Sequence, residues 1–419
     1  MSSPLRILHV VPSISLVYGG PSQMVLGLSQ ALAAAGVEVT ILTTNTNGDE
    51  GQTPLEVPLG EAIAQDGYRI IYFPCWPQQR YKVSPQLWRW FWQHAQDFDI
   101  AHIHACFSPV STVAAAIARH RRLPYIIRPL GTLDPADLRK KRILKLLYGW
   151  LLERPNLQKA AAIHFTSRIE AEVSRRFAAK TNDIILPIGV ADCPPPTSPK
   201  ATDPENPRIL FMSRLDAKKG LDLLIPCLEA LHQQGQKFHF VLAGDNPQNA
   251  EYVKYIRQQV NTSAIGKHTI MPGFVRGEYK QYLLQQADLM VLPSAYENFG
   301  IVVAEAMMAG VPVLISDQVY IWQEILQAEA GWVCQCTPQS LLEQFKIALA
   351  DAQERQRRGE NAQKFAWHNY RWPAIATQSI NIYKTLINKM NNFSENTEDN
   401  PNELSSSTLE TQPNNDNKP

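Results

Sequence analysis

The stretch Ala287 to Asp317, ADLMVLPSAYENFGIVVAEAMMAGVPVLISD, carries the fold in miniature. ADLMVLPS and VPVLISD are short apolar runs with turn-forming residues at their ends, as strands buried on both faces of a parallel sheet are. Between them the turn Asn298-Phe299-Gly300-Ile301 opens an apolar helical run rich in Ala, Val and Met. Strand, turn, helix, strand is the repeating unit of a doubly wound α/β domain.

The same alternation extends towards the N-terminus through HTIMPGF, a helix ending near Val260, FHFVLAGD, a helix from about Leu221, and PRILFMSRL. It reappears in the first half of the chain. LRILHVVPSI is followed by Gly19-Gly20, by a helix whose Met24, Leu28, Ala31 and Leu32 recur at helical spacing up to Gly36, and by VEVTILTT. FDIAHIHA, an Ala-rich helix ending near Arg122, and PYIIRPL repeat it. Between the halves lies PPPTSPKATDPENP, which proline bars from a helix or a central strand. The expected organisation is a first domain over 1–192, a linker over 193–207, a second domain over 208–370, and a C-terminal helix over 371–390 free to pack back on the first domain. A disordered tail is expected over 391–419, where hydrophobicity is low and turn formers dominate. Two such domains put their strand ends on either side of a cleft.

At 419 residues the chain is longer than one core usually organises, which agrees with two domains. Its apolar fraction of 45% and charged fraction of 19% are those of a soluble globular protein. A formal net charge of +1 argues against a dedicated nucleic-acid binder. The N-terminal apolar run is too short for a signal peptide, and no stretch reaches the roughly 18 apolar residues of a membrane span, so a cytoplasmic enzyme is expected. Cys75, Cys106, Cys193, Cys227, Cys334 and Cys336 lack metal-site spacing and read as reduced thiols.

Three features carry chemistry. Arg214 follows the strand RILFMS, and Lys219-Gly220 stands at a helix start; two cations and a glycine that admits close backbone approach form a diphosphate pocket. Glu297 precedes the NFG turn, whose free backbone N–H groups suit phosphate. Glu305, in the same apolar helix, needs hydroxyl or cationic partners, because an unpaired carboxylate there is expensive.

These motifs, in this order over roughly 100 residues, make the second half resemble the donor-binding domain of glycosyltransferase family 4, whose fold is GT-B, two Rossmann-like domains facing across a cleft. The family pattern of Arg, Lys-Gly, a Gly-Asp strand end and PSxxExFGxxxxEAMAxGxPV appears as Arg214, Lys219-Gly220, Gly244-Asp245, and Glu297 with Glu305. The resemblance implies a retaining transferase of a hexose from a nucleotide-sugar donor to a glycan or lipid-linked acceptor, in exopolysaccharide, lipopolysaccharide or glycolipid assembly. It implies no cofactor and no metal. Arg214 and Lys219 would bind the diphosphate and steady the departing nucleotide. Glu305 would take the ribose hydroxyls, Glu297 the transferred sugar, and Gly273-Phe274-Val275 the base, with Asn298, Phe299, Gly300 and Ile301 forming the phosphate turn.

On the acceptor side, Gly19-Gly20 matches the family's glycine loop, and His104 its active-site histidine, with His102 a competitor on the same strand face. Arg128 and the loop RPLGTLDP resemble a variant bordering the acceptor. The segment 137–159, DLRKKRILKLLYGWLLERPNLQK, mixes cations with Ile143, Leu146, Leu147, Trp150 and Leu151 and reads either as a surface for anionic lipid or as a packed helix with a solvated basic face. The aromatic run LWRWFWQ upstream adds to the first of these. Two alternatives to transfer remain: a nucleotide-sugar-processing enzyme such as an epimerase, and a non-catalytic sugar-binding protein.

Overall fold

The computed structural model describes residues 4–49, 52–76, 82–139, 142–194, 200, 203 and 205–398. Most of the proline-dense linker and the tail beyond 398 lie outside them. The first sheet is built from β1 (Arg6–Val10), β2 (Glu38–Thr44), β3 (Ala62–Gln65), β4 (Tyr68–Phe73), β5 (Ile100–His104), β6 (Tyr125–Arg128), β7 (Ala162–Phe165) and β8 (Asp183–Ile185). The second contains β9 (Arg208–Met212), β10 (His239–Ala243), β11 (Thr269–Gly273), β12 (Leu289–Leu292), β13 (Val313–Ser316) and β14 (Gly331–Cys334).

Spatial order in the first sheet is β3-β4-β2-β1-β5-β6-β7-β8, parallel except for the β3–β4 hairpin. The second runs β11-β10-β9-β12-β13-β14, parallel throughout. In each sheet the connection reverses direction beside the first strand, and a crevice opens there at the carboxyl ends. β1 and β5 flank it in the first sheet, β9 and β12 in the second. The central strands are apolar runs because both faces are covered: Ile209, Leu210, Phe211, Met290 and Val291 are all buried.

The C-terminal helix, Trp372–Glu398, runs past the expected end at Met390. It returns to the first domain, where Ile375, Ala376, Tyr383 and Leu386 share a core with Met24, Val25, Leu28 and Leu32. Trp372 enters so closely that a Cβ on Gly189 would stand 2.1 Å from its ring and one on Gly27 2.4 Å. The two passages between domains run side by side: Val190 N donates to Tyr370 O at 2.7 Å, and Arg371 makes a bidentate pair with Asp192 at 2.7 and 2.6 Å.

Candidate functional site

On the second domain's side, Arg214 leaves β9 exposed, and Asp216 caps the tight turn Ala217–Lys219 by accepting from Lys218 N. Gly220 then takes φ +77° under the backbone of Pro293, whose carbonyl would lie 2.0 Å from a Cβ. That contact seats the Lys219 turn against the end of β12. Lys219, itself buried, forms an ion pair with Glu297. Lys218 lies beside it, and burial together with Lys219 lowers its pKa. Lys218 was not expected at the site; its place in a KKG run was the available signal. Gly244 closes the other flank, its N–H on Gly273 O at 2.8 Å and its α-carbon tight against Ser213 O.

The ENFG turn is held from three sides. Glu297 N donates to Gln318 O, Phe299 is buried against Tyr370 with ring centroids 5.3 Å apart, and Gly300 begins the helix Ile301–Met308 at φ +73°. Glu305 has a protein partner: Lys280 Nζ, from the helix Gly277–Gln286, lies 2.6 Å from its Oε1. Its presence in an apolar helix is thus explained without a sugar, a partner that sequence distance concealed. Phe274 is 74% exposed next to Gly273, and Val275 packs on the second core.

The first domain meets this turn directly. A Cβ on Gly20 would stand 3.0 Å from Ile301 Cδ1, and one on Gly131 2.8 Å from Asn298 Nδ2. Gly19, at φ +69°, caps the helix Gly20–Ala34 with open space around it. Buried Glu170 joins the two domains: Oε1 accepts from Asn298 Nδ2 at 2.7 Å and Gly131 N at 3.2 Å, while Oε2 accepts from Thr166 N and Oγ1, each at 2.7 Å. Tyr320 donates across to Asp134 Oδ2 at 2.7 Å. Glu170, Asp134 and Tyr320 carried no motif and went unread.

The acceptor-side expectations fare differently. His104 is fully buried, bonded through Nε2 to His9 Nδ1 at 2.9 Å, and presents nothing to the cleft surface. Its competitor His102 belongs to a directional chain. Leu186 O can only accept, so His164 Nε2 donates to it; neutral His164 then accepts at Nδ1 from His102 Nε2, and His102 Nδ1 accepts from Tyr383 OH. Burial pushes His9 down to about 3 and lowers His102, His104 and His164 well below the ordinary range, keeping them neutral.

His9 Nε2, His104 Nδ1 and Arg128 Nε have no hydrogen-bond partner among the described residues. Ring nitrogens of His9, His102 and His104 lie within 4.8 Å of one another, close enough for one cation. The Arg128 charge, which itself lowers His9, opposes a cation there. Arg128 also departs from expectation. It is buried, its guanidinium against Met24 and its pKa lowered to about 10 by desolvation, so the loop after it, not its side chain, borders the cleft.

Residues 19–189 match the family described as Glycosyl transferase 4-like domain, and residues 197–365 that described as Glycosyl transferases group 1. The chain belongs to the family 4-like glycosyltransferases. An uncharacterized glycosyltransferase of Methanocaldococcus jannaschii is 33% identical over 184 residues, 43% of this chain and 46% of that one. The chain therefore spans about half the length of that relative. Glycogen synthase of Mycobacterium tuberculosis is 24% identical over 88% of this chain and 91% of its own. Among solved structures, sucrose-phosphate synthase from Thermosynechococcus elongatus superposes with a TM-score of 0.71 at 21% identity, covering 92% of this chain and all of that one. Anabaena HepE in complex with UDP-glucose gives 0.69 at 18%, covering 91% and 100%. The fold is GT-B.

Proposed function

We propose that this glycosyltransferase moves a hexose from a nucleoside-diphosphate sugar to a glycan or lipid-linked acceptor with retention of configuration. The observation that carries the reading is the convergence of Arg214, Lys218 and the Lys219–Glu297 pair at the β9/β12 crevice, facing Gly20 and Gly131 of the other domain. Cations beside a helix start suit a diphosphate, and Glu297 is placed to exchange its ammonium partner for sugar hydroxyls. Glu305, with Lys280, takes the ribose, and exposed Phe274 offers a face for the base. The UDP-glucose bound by HepE supports a donor of this class.

In this reading the departing diphosphate, steadied by Arg214 and Lys219, receives the acceptor proton as the acceptor attacks from the same face. The two carboxylates position hydroxyls; neither attacks carbon. No metal and no cofactor take part. Because His104 is sealed in, it acts on the transferred sugar only if the residues covering it move. The expected setting is assembly of a surface polysaccharide or glycolipid, with residues 137–159 against an anionic membrane. Among the described residues no helix is long and apolar enough to cross one. Incubation with a panel of nucleotide sugars, with and without EDTA, tests the reading. One donor should be hydrolysed in preference and EDTA should change nothing; no turnover of any donor, or loss with EDTA, would overturn it. NMR of the anomeric product decides retention.

A further inference from the structure

The helical segment 142–159 shows two faces with different work. Outward stand Ile143, Leu144, Leu147, Trp150, Leu151 and Leu152, each between 47 and 85% exposed. Arg142, Lys145, Arg154 and Lys159 lie along the same segment, and its one carboxylate, Glu153, is buried. Lys145 is paired with Asp137; Arg154 lies over Trp150, 4.9 Å from the ring centroid. An apolar patch set among cations fits an anionic lipid surface better than a second copy of itself, which would bring cation against cation.

The inner face holds the loop that follows His104. Ala105 and Phe107 sit at φ +70° and +58°, left-handed conformations that strain a residue with a Cβ and persist only where surroundings enforce them. Glu153 supplies the enforcement: Oε1 accepts from Phe107 N at 2.7 Å and from Thr112 Oγ1 at 2.8 Å. Tyr148, from the same segment, donates to Thr112 Oγ1 at 2.8 Å and packs on the Phe107 ring at 5.8 Å. A five-residue π turn, Gly149–Glu153, makes the division possible. Its wider winding turns Glu153 inward while Leu151 and Leu152 stay out, and Gly149 lets the Phe177 ring approach to 2.3 Å of where a Cβ would be.

Resting on the reading of this segment as a lipid-facing surface, we propose that Glu153 is a positioning residue through which occupation of that surface orders the loop Ala105–Phe107 at the acceptor side of the cleft. Both bonds end on one oxygen, so a carbonyl in its place suffices. Among the described residues the carboxylate has no cationic partner, and burial raises its pKa.

Amide hydrogen exchange at residues 105–112 of the full chain, with and without vesicles of phosphatidylglycerol and phosphatidylcholine, tests this, with flotation run in parallel. Vesicles should slow exchange at Phe107 about tenfold, the scale of one buried hydrogen bond. Glu153→Ala should float yet lose the slowing, and Glu153→Gln should restore it. Leu147→Ser with Leu151→Ser should neither float nor slow. Flotation of the unaltered chain with unchanged exchange at Phe107 overturns the coupling and leaves the lipid surface standing. Failure of the unaltered chain to float removes the surface and the coupling together.

Discussion

Lys219 and Glu297 meet as an ion pair at the rim of the β9/β12 crevice, whereas His9, His102, His104 and His164 meet inside the first sheet with their charges suppressed. Both clusters sit beside apolar strands, and they differ in what completes them. The pair keeps donors and acceptors near solvent and can trade its internal bond for a ligand. The histidines spend most of theirs on one another, on Leu186 and on Tyr383, and the two nitrogens left over, His9 Nε2 and His104 Nδ1, are sealed from solvent. An exchangeable cluster suits binding, and a closed one suits assembly.

The sharpest way to break this contrast is at Glu297. Glu297→Ala or Arg214→Ala should lower kcat/KM for the preferred donor by about a hundredfold or more with the fold intact, since interactions of charged groups with the transferring atoms are removed. Near-normal turnover in either folded variant would return the pair to a merely structural role. The histidines should answer to acid instead. Their folded-state pKa values are depressed, so between about 6.5 and about 3 the unfolded chain binds protons that the folded chain refuses. Stability is therefore fully present above pH 6.5 and lost as pH falls through that window; urea midpoints taken from pH 8 to pH 4.5 should decline below 6.5, and a flat profile contradicts the buried neutral state.

Tyr383→Phe removes the first donor of the chain and leaves His102 Nδ1 without one, a loss of about 1–3 kcal/mol by denaturation with donor hydrolysis little changed. Smallest is Lys280→Met, which leaves Glu305 without its ammonium. Donor KM should rise a few-fold while kcat holds, as for a partly exposed charge pair. A fall in kcat there would place Lys280 in the transfer step.

The sheets were legible because their strands are uniform apolar runs between turn formers; ADLMVLPS and VPVLISD become β12 and β13 within a residue or two. The residues proposed for the donor, Lys219-Gly220 and ENFG, were legible as a cluster because each motif is contiguous, and local backbone geometry keeps contiguous residues together. Burial of His104 and Arg128 was not legible. It depends on Met24 and His9, each brought in from another element. Glu170 and Lys280 were hidden for the same reason: their partners Asn298 and Glu305 lie far away in sequence. The aromatic run expected to widen the lipid-facing patch turned mostly inward, with Phe91 buried and Trp88 and Trp90 against the first core, because a helix pattern does not say which side its sheet lies on.

Trp372, seated between Gly27 and Gly189, sets an order of events in synthesis. The first 190 residues leave the ribosome well before Ile375, Ala376, Tyr383 and Leu386, yet their core is closed by those four side chains. While the second domain is being made, the first waits with that face uncovered, exposed to any chaperone that binds apolar surface. The domain that begins folding earliest is the last to be finished.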